Sequence, residues 1–104
     1  MPNEFSFLIR PDRYSARNNV KPIKFYCIAP QASRVSLVGE FNAWQSWANP
    51  MERQPDGSWM AQVNLPHGHH QYLFLVDDEP TLDPHGHGIV RNARNERVSL
   101  IAVS

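Results

Sequence analysis

Apolar and polar residues alternate along this chain in short bursts, and no stretch repeats apolar residues at helical spacing for more than two turns. "PIKFYCIAP", Pro22 to Pro30, is rich in β-branched and aromatic residues and bracketed by prolines, which predicts a strand. "SRVSLVGEF" sets Val35 and Leu37 against Ser36 and Val38 and stops at Gly39, predicting a second. "QPDGSWMAQVNLP" opens on a turn at Asp56 and Gly57, then alternates Trp59, Ala61 and Val63 with Met60, Gln62 and Asn64, so it pairs as a hairpin with the preceding "MER". "HHQYLFLVDDEPTL" sends Tyr72, Phe74 and Val76 to one face and Leu73 and Leu75 to the other, as in a central strand, before "DDEP" turns into a short segment ending at Leu82. The last run, "ERVSLIAVS", places Val98, Leu100 and Ala102 opposite Ile101 and Val103. With 9 prolines punctuating the chain, about seven short strands predict an all-β fold, a sandwich rather than a barrel or an α/β fold. Residues 1–20 lack sustained periodicity and are expected to form an N-terminal arm, in which "EFSFLIR" can pair as a short strand or cover an edge. Residues 21–104 form the domain.

One stretch breaks the pattern. After "VSLVG", the segment "EFNAWQSW" places Trp44 and Trp47 among Asn42, Gln45, Ser46 and Asn49, a polar setting that suits a solvated turn better than an interior.

Composition narrows the candidates. A chain of 104 residues, 41% hydrophobic, supports one core and one domain, burying roughly two thirds of its unfolded surface. Its 10 basic and 10 acidic residues balance, so the electrostatic footprint that nucleic acid or anionic lipid selects is missing. No apolar run approaches the ~20 residues of a membrane span, and the N-terminus lacks the basic and apolar regions of a secretory signal, so a cytoplasmic location is expected. A single cysteine, Cys27, excludes an internal disulfide and an all-cysteine metal site.

Other constellations are better read as structure. His67, His69, His70, His85 and His87, with Asp77, Asp78 and Asp83, include the ligand types of zinc or nickel, but alternate strand positions also face solvent, so neither a metal site nor a cofactor is expected. Asp77, Asp78 and Glu79 are consecutive in a turn, which splays their carboxylates rather than opposing them across a substrate. Cys27, in an apolar strand, reads as a buried, inert thiol. No nucleophile elbow or phosphate-binding glycine loop is present, so no enzymatic activity is expected. Arg91, Arg94 and Arg97 are interrupted by Glu96 and read as a solvated surface.

In order, "VSLVGEFNAW", "MERQPDGSWMAQVNLPHG", "QYLFLVDDE", "LDP" and a closing strand resemble the immunoglobulin-like early-set domain of α-glucan proteins. That family includes the N-terminal domains of glycogen branching enzymes and isoamylases and the glycogen-binding module of the AMP-activated protein kinase β subunit. The resemblance covers roughly Lys21 to Val103 and implies a non-catalytic sandwich that stacks glucose rings on aromatic faces and hydrogen-bonds their hydroxyls. It implies an α-glucan as ligand, with Trp44 as the first platform and Asn42, Arg94 and Ser99 among the sugar-binding positions. Three positions depart from the family: Leu73 stands for a lysine, Pro80 for the second platform tryptophan, and Ser99 for an asparagine. Trp47, in a slightly lengthened loop, is placed to replace the platform lost at Pro80, or else to fold back over the sandwich edge or the arm. Two alternatives to a free-standing glucan-binding module stay open: a protein-interaction or regulatory module that has lost the sugar site, and an accessory domain acting in trans with a glycogen-metabolising enzyme. A homodimer through a sheet edge or the N-terminal arm is a further expectation.

Overall fold

The computed structural model describes residues 20–104, so the expected arm lies, but for Val20, outside the described residues. Eight strands follow in order: β1 Val20–Ile28, β2 Val35–Gly39, β3 Glu52–Arg53, β4 Ser58–Pro66, β5 Gly68–Val76, β6 Glu79–Thr81, β7 Gly88–Arg91 and β8 Arg97–Val103. One turn of 3-10 helix, Glu40–Asn42, lies between β2 and β3. They form two antiparallel sheets, one ordered β1-β4-β3 and the other β2-β5-β8-β7, with β6 also paired to β5. Strand β5 is the hub: Tyr72–Val76 pair with β2, Gly68–Tyr72 with β8, and Phe74–Val76 with β6. This is the expected all-β sandwich.

The alternation dictates the core. Phe25 and Cys27 of β1, Val35 and Leu37 of β2, Trp59, Ala61 and Leu65 of β4, and Tyr72 and Phe74 of β5 are all buried between the sheets. Each large side chain removed from water contributes about 1.5–3 kcal/mol. The Phe25 ring meets Tyr72 edge-on at 4.9 Å and Tyr72 meets Phe74 at 5.9 Å, the tilted geometry that ring quadrupoles favour. Trp59 is a core anchor with its polar handle satisfied: its Nε1–H donates to the Ala29 carbonyl at 2.9 Å. The Arg53 guanidinium lies 4.6 Å over the same ring and donates to the Pro30 and Ala32 carbonyls.

Two turns follow their sequence signals. Gly57 closes the β3–β4 hairpin at φ 88°, and its N–H donates to Gln54 O. At the β5–β6 hairpin Asp77 and Asp78 are both left-handed, with φ 49° and 69°, and Asp77 Oδ1 accepts the N–H groups of Ser33 and Arg34. Arg34 also pairs with Asp78. The acidic run is thus a fastener between two loops. Gly39 departs from the conformational role its place before a loop suggests: its backbone is extended, and what it supplies is room. A Cβ there would sit 2.6 Å from both the Gln71 carbonyl oxygen and the Phe41 ring.

Strand β7 has no counterpart in the alternation pattern. Only Ile89 and Val90 in "GIVR" are apolar, and its order comes from pairing with β8, Val90 opposite Val98. That hairpin carries Arg94 at its tip.

Candidate functional site

Because Tyr72 and Phe74 face the core, Gln71 and Leu73 must face outward from the same strand. Two loops rise beside them, one after β2 and one between β7 and β8. Together they enclose a groove of about 440 Å3 with Leu73 and Gln71 in its lining, Trp44 and Glu40 from the first loop, and Arg91 and Arg94 from the second. That volume suits a small ligand. Glu40 and Glu96 balance the two arginines, so the groove carries no net charge.

The first loop is tied by a single side chain. Asn42 Oδ1 accepts the Gly39 N–H at 3.0 Å, while Nδ2 donates to the Leu37 carbonyl at 2.9 Å and to Asn49 Oδ1 at 2.7 Å. Asn49 O accepts the Leu37 N–H and Met51 N–H donates to Val35 O, closing the base of the loop. Inside this frame Ala43 and Trp44 are both left-handed, at φ 57° and 59°, a conformation that costs a residue with a side chain about 1–2 kcal/mol. The Trp44 N–H is satisfied by Gly39 O at 3.0 Å, and its side chain is 37% exposed. Glu40 Oε1 accepts the Gln71 N–H at 3.0 Å, prolonging the β2–β5 ladder beyond Gly39. The β7–β8 loop has the same logic. Asn92 Oδ1 accepts the N–H groups of Arg94 and Glu96, both at 2.9 Å, and its Nδ2 donates to Glu96 Oε1. Arg91 donates to the Asn95 carbonyl.

The residues singled out by sequence are placed unequally. Trp44 and Arg94 meet in the groove, with Leu73 beside them. Asn42 lies in the loop, but both ends of its amide are spent on protein groups. Trp47 is 73% exposed and outside the groove lining, so no described element buries it. Ser99 shares a face with Tyr72, is 0% exposed, and its Oγ accepts the Asp83 N–H at 2.7 Å. It is a core hydroxyl, not one presented to a ligand. Pro80 sits on β6 opposite the outward-facing Leu75. Glu40 and Gln71 carried no signal of their own in the sequence, and Arg91, read there as part of a solvated surface, lines the groove. The available signal was the register of β5, where Gln71 and Leu73 alternate with core aromatics.

The remaining polar clusters serve the fold. Among the described residues no three histidine, cysteine or acidic groups gather to hold a metal ion. His87 Nδ1 accepts the Ala102 N–H, and His70 Nε2 lies 2.9 Å from Pro66 O. The Tyr72 hydroxyl donates to Asp83 Oδ2 at 2.6 Å; burial first, then this bond, pushes its pKa far above the ordinary phenol value. Cys27 is buried, and burial with the nearby Asp83 charge pushes its thiol up.

The family described as the glycogen recognition site of AMP-activated protein kinase matches residues 26–104. The chain is also similar to 1,4-alpha-glucan branching enzyme GlgB of Photobacterium profundum, 39% identical over 59 residues, 57% of this chain and 8% of that protein. A second relative, the 1,4-alpha-glucan branching enzyme GlgB 2 of Rhizobium etli, is 39% identical over 80 residues, 75% of this chain and 10% of its own. The GlgB of Vibrio cholerae is 36% identical over 75 residues, 71% and 10% of the two chains. The chain therefore spans about a tenth of the length of these relatives.

Proposed function

The chain belongs to the family described as the glycogen recognition site of AMP-activated protein kinase, and from that premise we propose that it is a free-standing, non-catalytic module that binds α-glucan chains in the groove of the five-stranded sheet. The observation that carries this reading is the convergence of Trp44, Leu73 and Arg94 on one groove from three separate elements. Trp44 offers a flat face to the C–H bonds of a glucose ring, while Arg94 and Glu40 offer a donor and an acceptor to its hydroxyls. Charge balance in the lining favours a neutral sugar over a phosphorylated one. With one platform and few polar contacts, binding is micromolar to millimolar, about −8 to −4 kcal/mol, because ordering and hydroxyl desolvation offset most of the gain.

Trp47 extends the site for longer chains. It stands three residues from Trp44 and is exposed, so a glucan running out of the groove meets a second stacking surface. Titration with maltotriose and maltoheptaose, followed by tryptophan fluorescence, tests both parts. Trp44→Ala sharply weakens binding of either sugar, whereas Trp47→Ala weakens only the longer one. No response of the unaltered protein at millimolar maltoheptaose contradicts the proposal.

A second reading, docking onto a glycogen-metabolising enzyme, is supported by the open side of the sandwich. There Tyr26, Ile28 and Ile89 are exposed around a cleft of about 360 Å3 that leads toward Phe74. Co-sedimentation with a purified 1,4-alpha-glucan branching enzyme, lost in a Tyr26→Ser, Ile28→Ser chain, is the expected outcome. Independent sedimentation of the unaltered chain excludes this partner.

A further inference from the structure

The groove has two walls, and each is presented by a loop organised around one asparagine. Asn42 precedes Trp44 by two residues and Asn92 precedes Arg94 by two. In both loops the asparagine uses its carbonyl oxygen to accept backbone N–H, one group at Asn42 and two at Asn92, and its amide nitrogen to donate across the loop. In both, a left-handed residue with a side chain follows: Ala43 and Trp44 after Asn42, and Asn95 after Asn92. Such conformations persist only where the surroundings over-determine them. Local side-chain to backbone bonding by asparagine is the device that does so in turns.

We propose that Asn42 and Asn92 are positioning residues that hold Trp44 and Arg94 in the sugar-binding geometry before the sugar arrives, and that neither touches it. This rests on the glucan-binding reading of the groove. The three hydrogen bonds of Asn42 leave its amide hydrogens and one acceptor position committed to Gly39, Leu37 and Asn49, and Asn42 is not among the groove-lining residues. Asn92 does border the groove, yet its oxygen and nitrogen are engaged with Arg94, Glu96 and the Glu96 carboxylate. Released from these bonds, Ala43 and Trp44 relax toward right-handed or extended backbone, and the indole leaves the groove. Affinity falls because the ordering cost is then met on binding rather than on folding.

A double-mutant cycle separates positioning from contact. Affinity electrophoresis in glycogen gels is run on Asn42→Ala, Trp44→Ala and the double variant, and likewise on Asn92→Ala, Arg94→Ala and their double, with glycogen raised until the weakest variant is retarded. Asn42→Ala is expected to lower affinity about tenfold, about 1.4 kcal/mol, yet to add nothing in the Trp44→Ala background. Asn92→Ala is expected to add nothing once Arg94 is gone, but to add its full loss to Trp44→Ala. Losses that sum within either pair, or an Asn42→Ala chain that binds as the unaltered one does, overturn the proposal. Should Asn42→Ala fail to fold, Asn49→Ala removes only one of the three bonds and takes its place in the cycle. A sugar-free readout keeps the two readings distinguishable. In a Trp47→Phe chain, acrylamide quenching of Trp44 against the buried Trp59 rises on Asn42→Ala if the loop is locked. Unchanged quenching refutes positioning even if glycogen binding is never seen, and raised quenching with no glycogen retardation of any chain refutes the glucan reading alone.

Discussion

Gly39 shows how a single missing side chain shapes the site. The Gln71 carbonyl and the Phe41 ring occupy the space a Cβ would need, and the same stretch sets the path of the chain into the Trp44 loop. Gly39→Ala therefore forces either the β2–β5 ladder or Phe41 to shift, a loss of about 1–3 kcal/mol by overpacking, measurable as a lower urea midpoint with unchanged slope. Cys27 illustrates the opposite kind of residue, one whose chemistry is suppressed. Buried, with its thiol pKa pushed up, it holds little thiolate at neutral pH. Ellman's reagent is expected to leave it unmodified in the folded protein and to modify one thiol per chain in denaturant; rapid modification of the native chain refutes this.

At the scale of elements, the bond from Tyr72 on β5 to Asp83 ties the central strand to the segment before β7. The folded state keeps this phenol protonated well above its ordinary pKa of 10. The unfolded chain releases that proton near pH 10 while the folded one retains it, so stability contributed below pH 10 is lost progressively as pH rises above it. Chemical denaturation between pH 9 and 11 should show this decline, and Tyr72→Phe should flatten it; an identical slope in both chains contradicts the assignment. The strands that alternate cleanly, such as β4 with Trp59, Ala61 and Leu65 inward, were legible because one face had to be buried. Strand β7 was not, since Gly88 and the exposed Ile89 carry no pattern and only pairing with β8 orders them. The site was half legible for a related reason. Trp44 stood out as an aromatic in a polar loop, and Arg94 through family resemblance. Glu40, Gln71 and Arg91 are ordinary surface residues until strand register brings them to one groove. Ser99 entered through the same resemblance, which carries no information on strand facing, and here pairing with Tyr72 turns it inward.

For the molecule as a whole, the two sheets divide the labour. Their facing surfaces hold the core, and the outer face of the larger sheet, with its two asparagine-tied loops, holds the groove. The cleft between β1 and the segment before β7 is a separate surface, to which the second reading assigns a protein partner. Membership of a glycogen-recognition family and the meeting of Trp44 with Arg94 both support the proposed binding of glucan through this one groove. Native electrophoresis with and without glycogen in the gel, run on the unaltered protein and on Trp44→Ala beside a non-binding marker, tests it most directly. At a glycogen concentration that retards the unaltered protein, Trp44→Ala is expected to move close to the marker. Equal mobility of both proteins, whether retarded or not, contradicts it.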